Sequence, residues 1–399
     1  MPYCFFIIVN NVSKGIEGCD QFRSTSPKAL WKIALAGENC LMTRYAIIGA
    51  GMMGHEHISN LALVKGAVLT ALCDPEQSSL DRSTAHAGQY GFSPSCFGDL
   101  DSMFKATDLD AVIVSSPNFT HFEVMRQVMK HDVAVLLEKP MCTTVDDAKA
   151  LRAITKDYPH LIWVGMEYRY MPPVTEFIDR VQAGVTGKVK MLSIREHRFP
   201  FLEKIGDWNR FSENTGGTLV EKCCHFFDLM RFTLQDDPVR VFASGGQSVN
   251  HLEERYDGRQ PDILDNAYVV LDFAKGTRAV LDLCMFAEGS EEQEQIYALG
   301  DIGKLEVGIP SANLTWSPRD RSGVEVENID TPTDALKAGY HHGSTFFQNT
   351  RFHEALMQGK SPDVSTLDGL RAVQMGAAAH QSIETGLPVA LDFAASENG

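Results

Sequence analysis

Tyr45–Gly54 reads YAIIGAGMMG, an apolar run that breaks into glycines at positions 49, 51 and 54. A short continuous apolar run suits a strand buried on both faces. The G-x-G-x-x-G spacing suits a turn that leaves such a strand and opens a helix. Its glycines allow a tight turn, a close backbone approach to a pyrophosphate, and close helix–strand packing. The pyrophosphate then sits at the helix's positive end. Asp74 ends the next apolar run, AVLTALCD, 20 residues past Gly54. A carboxylate there accepts hydrogen bonds from a ribose 2′-OH and repels a 2′-phosphate. The pattern therefore predicts a dinucleotide site at Gly49, Gly51, Met52, Met53, Gly54 and Asp74, with NAD favoured over NADP. Arg82 weighs the other way, because a nearby arginine admits the phosphate.

Outward from this turn, apolar strands alternate with helix-spaced segments. HISNLALVKG follows the turn as a helix, and LDAVIVSSPN, VAVLLEKP and LIWVGMEYRY read as further strands. This alternation predicts a doubly wound parallel sheet. After about Gly165, KVKMLSIREHRF, NAYVVLDF, TRAVLDLCMF and QEQIYALG succeed one another with short turns, which predicts a largely antiparallel sheet. Two helices close the chain, STFFQNTRFHEALMQG and LDGLRAVQMGAAAHQSIETG, the second ended by Gly386. The expected class is α/β: a Rossmann domain over residues 42–165, then an α+β domain with an open sheet over 166–399. Residues 1–41 read as an extension, with Met42 standing where the organised pattern begins.

Bulk properties exclude several functions. The 399 residues carry a formal charge of −16. Nucleic acid and anionic membranes both require a basic patch, so neither is an expected partner. No apolar run approaches the ~20 residues that span a bilayer. Nine dispersed cysteines without Cys-x-x-Cys spacing read as reduced thiols, which points to the cytoplasm. The weak apolar start of the extension makes a poor targeting signal.

Chemistry-bearing residues gather at predicted strand ends. SSPNFTH puts Ser116, Pro117, Asn118 and His121 at the carboxyl edge, where open parallel sheets bind ligands. His121 also fits a plain helix start. LLEKP puts Glu138 and Lys139 on the same edge, and Lys139 there can stabilise a developing alkoxide. Glu221, His225 and Asp228 stand at i, i+4 and i+7, one face of a helix. Histidine titrates near working pH and can take a hydroxyl proton. Cys223 and Cys224 point about 100° apart on a helix, so they and His225 make no metal site, and HEH at 55–57 lacks metalloprotease spacing. No metal is expected.

In order along the chain, GAGMMGHEH, SSPNFTH, LLEKPMCTT, GMEYRYMPPV and NTGGTLVEKCCHFFDLMRF resemble the Gfo/Idh/MocA oxidoreductases, from Thr43 to Ala390. That group includes glucose–fructose oxidoreductase and inositol dehydrogenase. The resemblance implies that Lys139 is catalytic, that His225 is the general base, and that the protein forms homo-dimers or homo-tetramers. The family usually has Asp-x-x-x-His at this helix, and Glu221 departs from it by one methylene. It implies an NAD-dependent dehydrogenase of a sugar, sugar derivative or inositol. Arg169, Arg198, Trp208 and Arg210 are candidates for binding such a polyol, with Lys139, Glu221 and His225; Asp265, Asn266 and YHHGS at 340–344 are further ones. Two alternatives stand beside this. One is a redox-neutral, NAD-dependent glycosidase. The other is a non-catalytic sensor, against which the presence of both Lys139 and His225 argues.

Overall fold

The computed structural model describes residues 42–339 and 341–393; the extension expected over 1–41, Tyr340 of the YHHGS segment and residues 394–399 lie outside them. Six parallel strands form the first sheet: β1 (Thr43–Ile48), β2 (Ala67–Cys73), β3 (Ser95–Phe97), β4 (Ala111–Val114), β5 (Ala134–Leu137) and β6 (Ile162–Val164). Their order is β3-β2-β1-β4-β5-β6, so the direction of winding reverses between β1 and β4. That reversal opens a crevice at the carboxyl ends of the strands, the usual ligand position in such sheets. The expected doubly wound sheet is present. The three-residue β3 went unread because so short a run carries no pattern.

The second sheet has nine strands: β7 (Val189–His197), β8 (Pro238–Gly246), β9 (Asn266–Phe273), β10 (Arg278–Cys284), β11 (Glu294–Gly300), β12 (Gly303–Ile309), β13 (Asn313–Pro318), β14 (Glu325–Asn328) and β15 (Val389–Ala390). All pairings are antiparallel except β7 with β10. Along β9 and β10 buried and more exposed residues alternate, so one face packs and the other stays open.

Four helices matter for the site: α1 (Met52–Leu61), α2 (Cys224–Leu234), α3 (Ser344–Gln358) and α4 (Thr366–Thr385). The two tail helices appear where the sequence places them, and Gly386 caps α4 in the left-handed region at φ 68°. Their packing joins the two parts of the chain. Phe352 of α3 and Leu370, Ala372 and Val373 of α4 join the core around Ile47, Val112 and Leu136. Met375, Ala378 and Ala379, further along α4, join the second core around Ile194, Val269 and Phe227. One amphipathic helix thus belongs to both cores. Among the described residues, no helix is long and apolar enough to cross a membrane, and the six cysteines there are unpaired thiols.

A buried ion pair ties α2 to the chain that leaves β6. Arg169 Nε donates to Asp228 Oδ2 at 2.6 Å, its Nη2 donates to Oδ1, and its Nη1 donates to the Asp363 carbonyl at 2.9 Å. Both partners are buried. With these donors all engaged inside the protein, Arg169 is a structural residue and not the substrate ligand expected of it. Removing one partner would strand a buried charge, a loss of roughly 3–5 kcal/mol. Asp228→Asn is expected to lower the urea-unfolding free energy by that amount, and a loss below about 1 kcal/mol would refute this assignment.

Candidate active site

The glycine turn has the sterics of a dinucleotide cradle. Gly49 has φ +99°, and a Cβ built there would lie 2.4 Å from Ser116 N. A Cβ on Gly54 would lie 2.5 Å from the Gly49 carbonyl oxygen, while one on Gly51 would meet nothing within 4 Å. The open space is therefore at the glycine that begins α1. No side chain caps that helix and no acid occupies its first turn, which leaves its N–H groups free for an anion. Asp74 is held by two backbone amides, from Ala50 (2.8 Å) and Glu76 (2.8 Å). Its carboxylate is thus fixed beside the turn, and these residues fit NAD. Arg82 lies exposed on the next helix.

The three residues HEH diverge. His55 turns to Ser83 (2.7 Å) and stacks on His86, Glu56 faces α3, and His57 bonds the Glu138 carboxylate at 2.7 Å. His57 is fully buried; burial alone would lower its pKa, but Glu138, together with Glu167 and Glu56, raises it. Glu138 also accepts from the Lys139 amide at 3.1 Å. His121 is likewise buried, with its ring nitrogens 2.8 Å from the Pro140 carbonyl and 3.0 Å from that of Ser116. Glu138 and His121 were expected to contact the cofactor. They instead brace, from inside, the loops that carry Ser116–Asn118 and Lys139. The Lys139–Pro140 bond is cis.

Lys139 reaches across the crevice, and its ammonium donates to the Glu221 carbonyl at 3.1 Å. The expected single helical face is corrected here. A one-turn helix, Thr218–Glu221, ends before α2 begins at Cys224. Asp228 therefore serves Arg169, while Glu221 and His225 remain near Lys139. Burial pushes the Glu221 carboxyl upward, against Lys139, Lys204, Asn118 and Arg210. His225 stacks on Tyr168 at 4.0 Å and 9°, and its buried Nδ1 has no hydrogen-bond partner. It is not a satisfied core histidine. Burial, then Lys139, Lys222, His341 and Arg198, drive its pKa well below the usual value, so the imidazole stands neutral.

Behind His225, Lys222 donates to the Tyr168 hydroxyl at 2.6 Å and pairs with Glu196 at 2.9 Å. Arg198 also faces Glu196, at 3.5 Å. Arg210 is buried and bonds Glu254 at 3.2 Å. Trp208 meets Phe119, in the segment that follows β4, edge to face at 6.0 Å. Asp265 accepts from the Ser248, Val249 and Asn250 amides, and Asn266 bonds Asp265 and Ser248. Both secure a turn instead of reaching the pocket. His341 lies between Glu56 (2.9 Å) and Glu167 (3.4 Å), with Thr345 bonded to both acids. Burial draws its pKa down, but the two carboxylates raise it to about 8.

Residues 43–166 match the description "Oxidoreductase family, NAD-binding Rossmann fold", and residues 178–391 match "Oxidoreductase family, C-terminal alpha/beta domain". The chain belongs to the Gfo/Idh/MocA oxidoreductase family. The myo-inositol 2-dehydrogenase of Thermotoga maritima is 28% identical over 357 residues, which span 88% of this chain and 98% of that protein. The 2,7-anhydro-N-acetylneuraminate hydratase of Mediterraneibacter gnavus is 26% identical over 236 residues, 57% of this chain and 60% of that protein. In fold, the chain is similar to levoglucosan dehydrogenase in complex with NADH, with a TM-score of 0.77 at 18% identity, covering 88% and 99% of the two chains.

Within this oxidoreductase, Tyr168, Lys222, Lys204 and the Glu56–Glu167 pair escaped the sequence reading. Tyr168, Lys222 and Lys204 lie in stretches whose neighbours drew attention, but nothing in the string says which side chains turn inward. His341 yields a testable consequence. Its folded pKa lies above the ordinary 6.5, so its contribution is complete below about pH 6.5 and is lost as pH rises through about 8. The shift corresponds to about 2 kcal/mol. Glu294, pushed up to about 8 by burial and Glu196, titrates in the same window, so a reference variant is needed. Between pH 6 and 9 the native chain is expected to lose about 2 kcal/mol more unfolding free energy than His341→Gln. Parallel curves for the two proteins would contradict this.

Proposed function

We propose that this chain is an NAD-dependent dehydrogenase acting on a secondary hydroxyl of a sugar, sugar derivative or inositol. The observation that carries this reading is the convergence of Lys139, Asn118, Glu221 and an unpartnered, neutral His225 beside the glycine turn. The Lys139 ammonium has donors beyond the one given to the Glu221 carbonyl, and these stabilise the oxygen as it becomes an alkoxide. His225 accepts the hydroxyl proton; burial and then its neighbouring cations keep it unprotonated beforehand. Tyr168, stacked on the ring and held by Lys222, fixes the imidazole's orientation. NAD, when bound, supplies the acceptor for the hydride that leaves the same carbon. Asp74 selects against a 2′-phosphate and so favours NAD over NADP. Trp208 and Phe119 offer an aromatic wall to a ring face.

The open face of the second sheet exposes Met191, Phe242, Tyr268 and Val270. That apolar area supports self-association of the chain as a homo-dimer or homo-tetramer. A redox-neutral route, in which transient oxidation precedes elimination or water addition, draws its support from the hydratase relative.

The test is NADH absorbance with a panel of inositols, aldoses, uronates and glycosides. NADH build-up is expected, with kcat/KM reduced by roughly 10²–10⁴ in Lys139→Met and in His225→Gln. Conversion of a glycoside without net NADH would replace the dehydrogenase with the redox-neutral route. Because the His225 pKa is lowered, the acid limb of the pH profile is expected well below pH 6.5. A His225-dependent limb at pH 7 or above would overturn its role as a neutral base.

A further inference from the structure

Two acids and a histidine from distant parts of the chain meet behind Tyr168. Glu56 lies on α1, Glu167 follows β6, and His341 precedes α3. Positions so far apart form no motif in the sequence. His341 Nδ1 is 2.9 Å from Glu56 Oε1 and 3.4 Å from Glu167 Oε1, and one ligand atom from each residue lies within 4.8 Å of the others. Bonds of about 2.1 Å to a divalent ion place neighbouring N and O ligands about 3.0–3.4 Å apart. The histidine thus already stands at coordination spacing from both acids. Both acids are buried, while the His341 side chain is 27% exposed and gives an ion a way in.

Hydrogen bonds do not use up the oxygens gathered here. The Thr345 hydroxyl faces both acids but has only one proton to give. Glu56 is 5% exposed, yet its Oε2 has no hydrogen-bond partner among the described residues. Neither amide atom of Gln348 has one either, although Gln348 is fully buried. Gln348 stands three residues beyond Thr345, on the same face of α3. Helical side chains lean towards the helix N-terminus, which directs its amide back over the turn of Thr345. Buried polar atoms are rarely left unpaired, and an ion is one way to satisfy them. Charge points the same way. Two carboxylates against one imidazolium leave one negative charge over, whereas a divalent ion on the neutral imidazole leaves none.

We propose that Glu56, Glu167 and His341 Nδ1 bind one divalent first-row metal ion, Zn²⁺ or Mn²⁺. An imidazole with two carboxylates suits these ions, whereas Ca²⁺ and Mg²⁺ favour oxygen ligands alone. Water or the Gln348 amide completes the coordination. The ion is structural: it clamps α1 and the start of α3 to the segment that carries Tyr168, the residue stacked on His225. It competes with the proton for His341, so the pH-dependent stability of that histidine belongs to the metal-free protein. The inference is independent of the dehydrogenase reading.

The test is calorimetric titration of the EDTA-treated, dialysed full chain with ZnCl₂ and with MnCl₂, followed by thermal unfolding with and without the ion. Uptake of at least one of the two is expected, at one ion per chain, with a rise in Tm. Glu167→Gln and His341→Leu should each weaken binding about a hundredfold or more, at or beyond the 10–100-fold that loss of an outer-shell partner costs. His341→Asp keeps an oxygen near the place of Nδ1. It should retain the ion and gain more Tm from it than the native chain does, because without the ion it adds a third carboxylate. Circular dichroism checks that each variant is folded. Failure of the native chain to take up either ion overturns the proposal. So does uptake that survives both Glu167→Gln and His341→Leu, which places the ion elsewhere, for instance on the thiols. A His341→Asp variant that is unfolded with and without the ion makes the histidine a hydrogen-bonding bridge only, and also overturns it.

Discussion

The space at Gly49 decides where everything else can be. The ends of β1 and β4 come so close that a Cβ there would sit 2.4 Å from the Ser116 amide. Only a residue without a side chain, free to take φ +99°, lets the two central strands end side by side. Their approach sets Ser116–Asn118 against the glycine turn. The next strand then delivers Lys139 to the same edge. Gly54 repeats the constraint one turn into α1, where the helix lies against the Gly49 carbonyl. The crevice follows from backbone contact that larger residues would prevent.

Charge organises what lies in that crevice. The buried carboxylates under the loops are matched inside the protein: Glu138 by His57, Glu56 and Glu167 by His341 and Thr345, Asp228 by Arg169. Around His225, Lys139, Lys222, His341 and Arg198 all act in the same sense as burial. An imidazolium there would meet both desolvation and repulsion. Low pKa is therefore a property of the whole wall and not of a single neighbour. The Tyr168–Lys222–Glu196 chain contributes twice, since it orients the ring and supplies part of that field.

Local pattern made the first sheet legible, because its buried strands read as apolar runs and its glycine turn has a steric reason. Strands β9 and β10 were equally readable from their alternation. What the string could not carry was direction. Arg169 and Asp228 are the residue types expected at a polyol site, yet they face each other inside the fold. Glu138 and Lys139 are adjacent, but one turns into the core and the other into the crevice. Long-range packing makes that choice, through His57 on α1 in one case and Glu221 in the other. The shared helix α4 was hidden for a similar reason, since an amphipathic pattern reveals a buried face but not which core buries it.

Glu221 shows how a departure from a family pattern can be accommodated. Its backbone carbonyl, not its carboxyl, accepts from Lys139. The break after Glu221 is what presents that carbonyl, since a helix continuing into α2 would bond it to an amide one turn later. The buried carboxyl still feels Lys139 most among its neighbours, followed by Lys204, Asn118 and Arg210. The break after Glu221 therefore gives Lys139 a backbone acceptor that does not depend on which acid stands at this position.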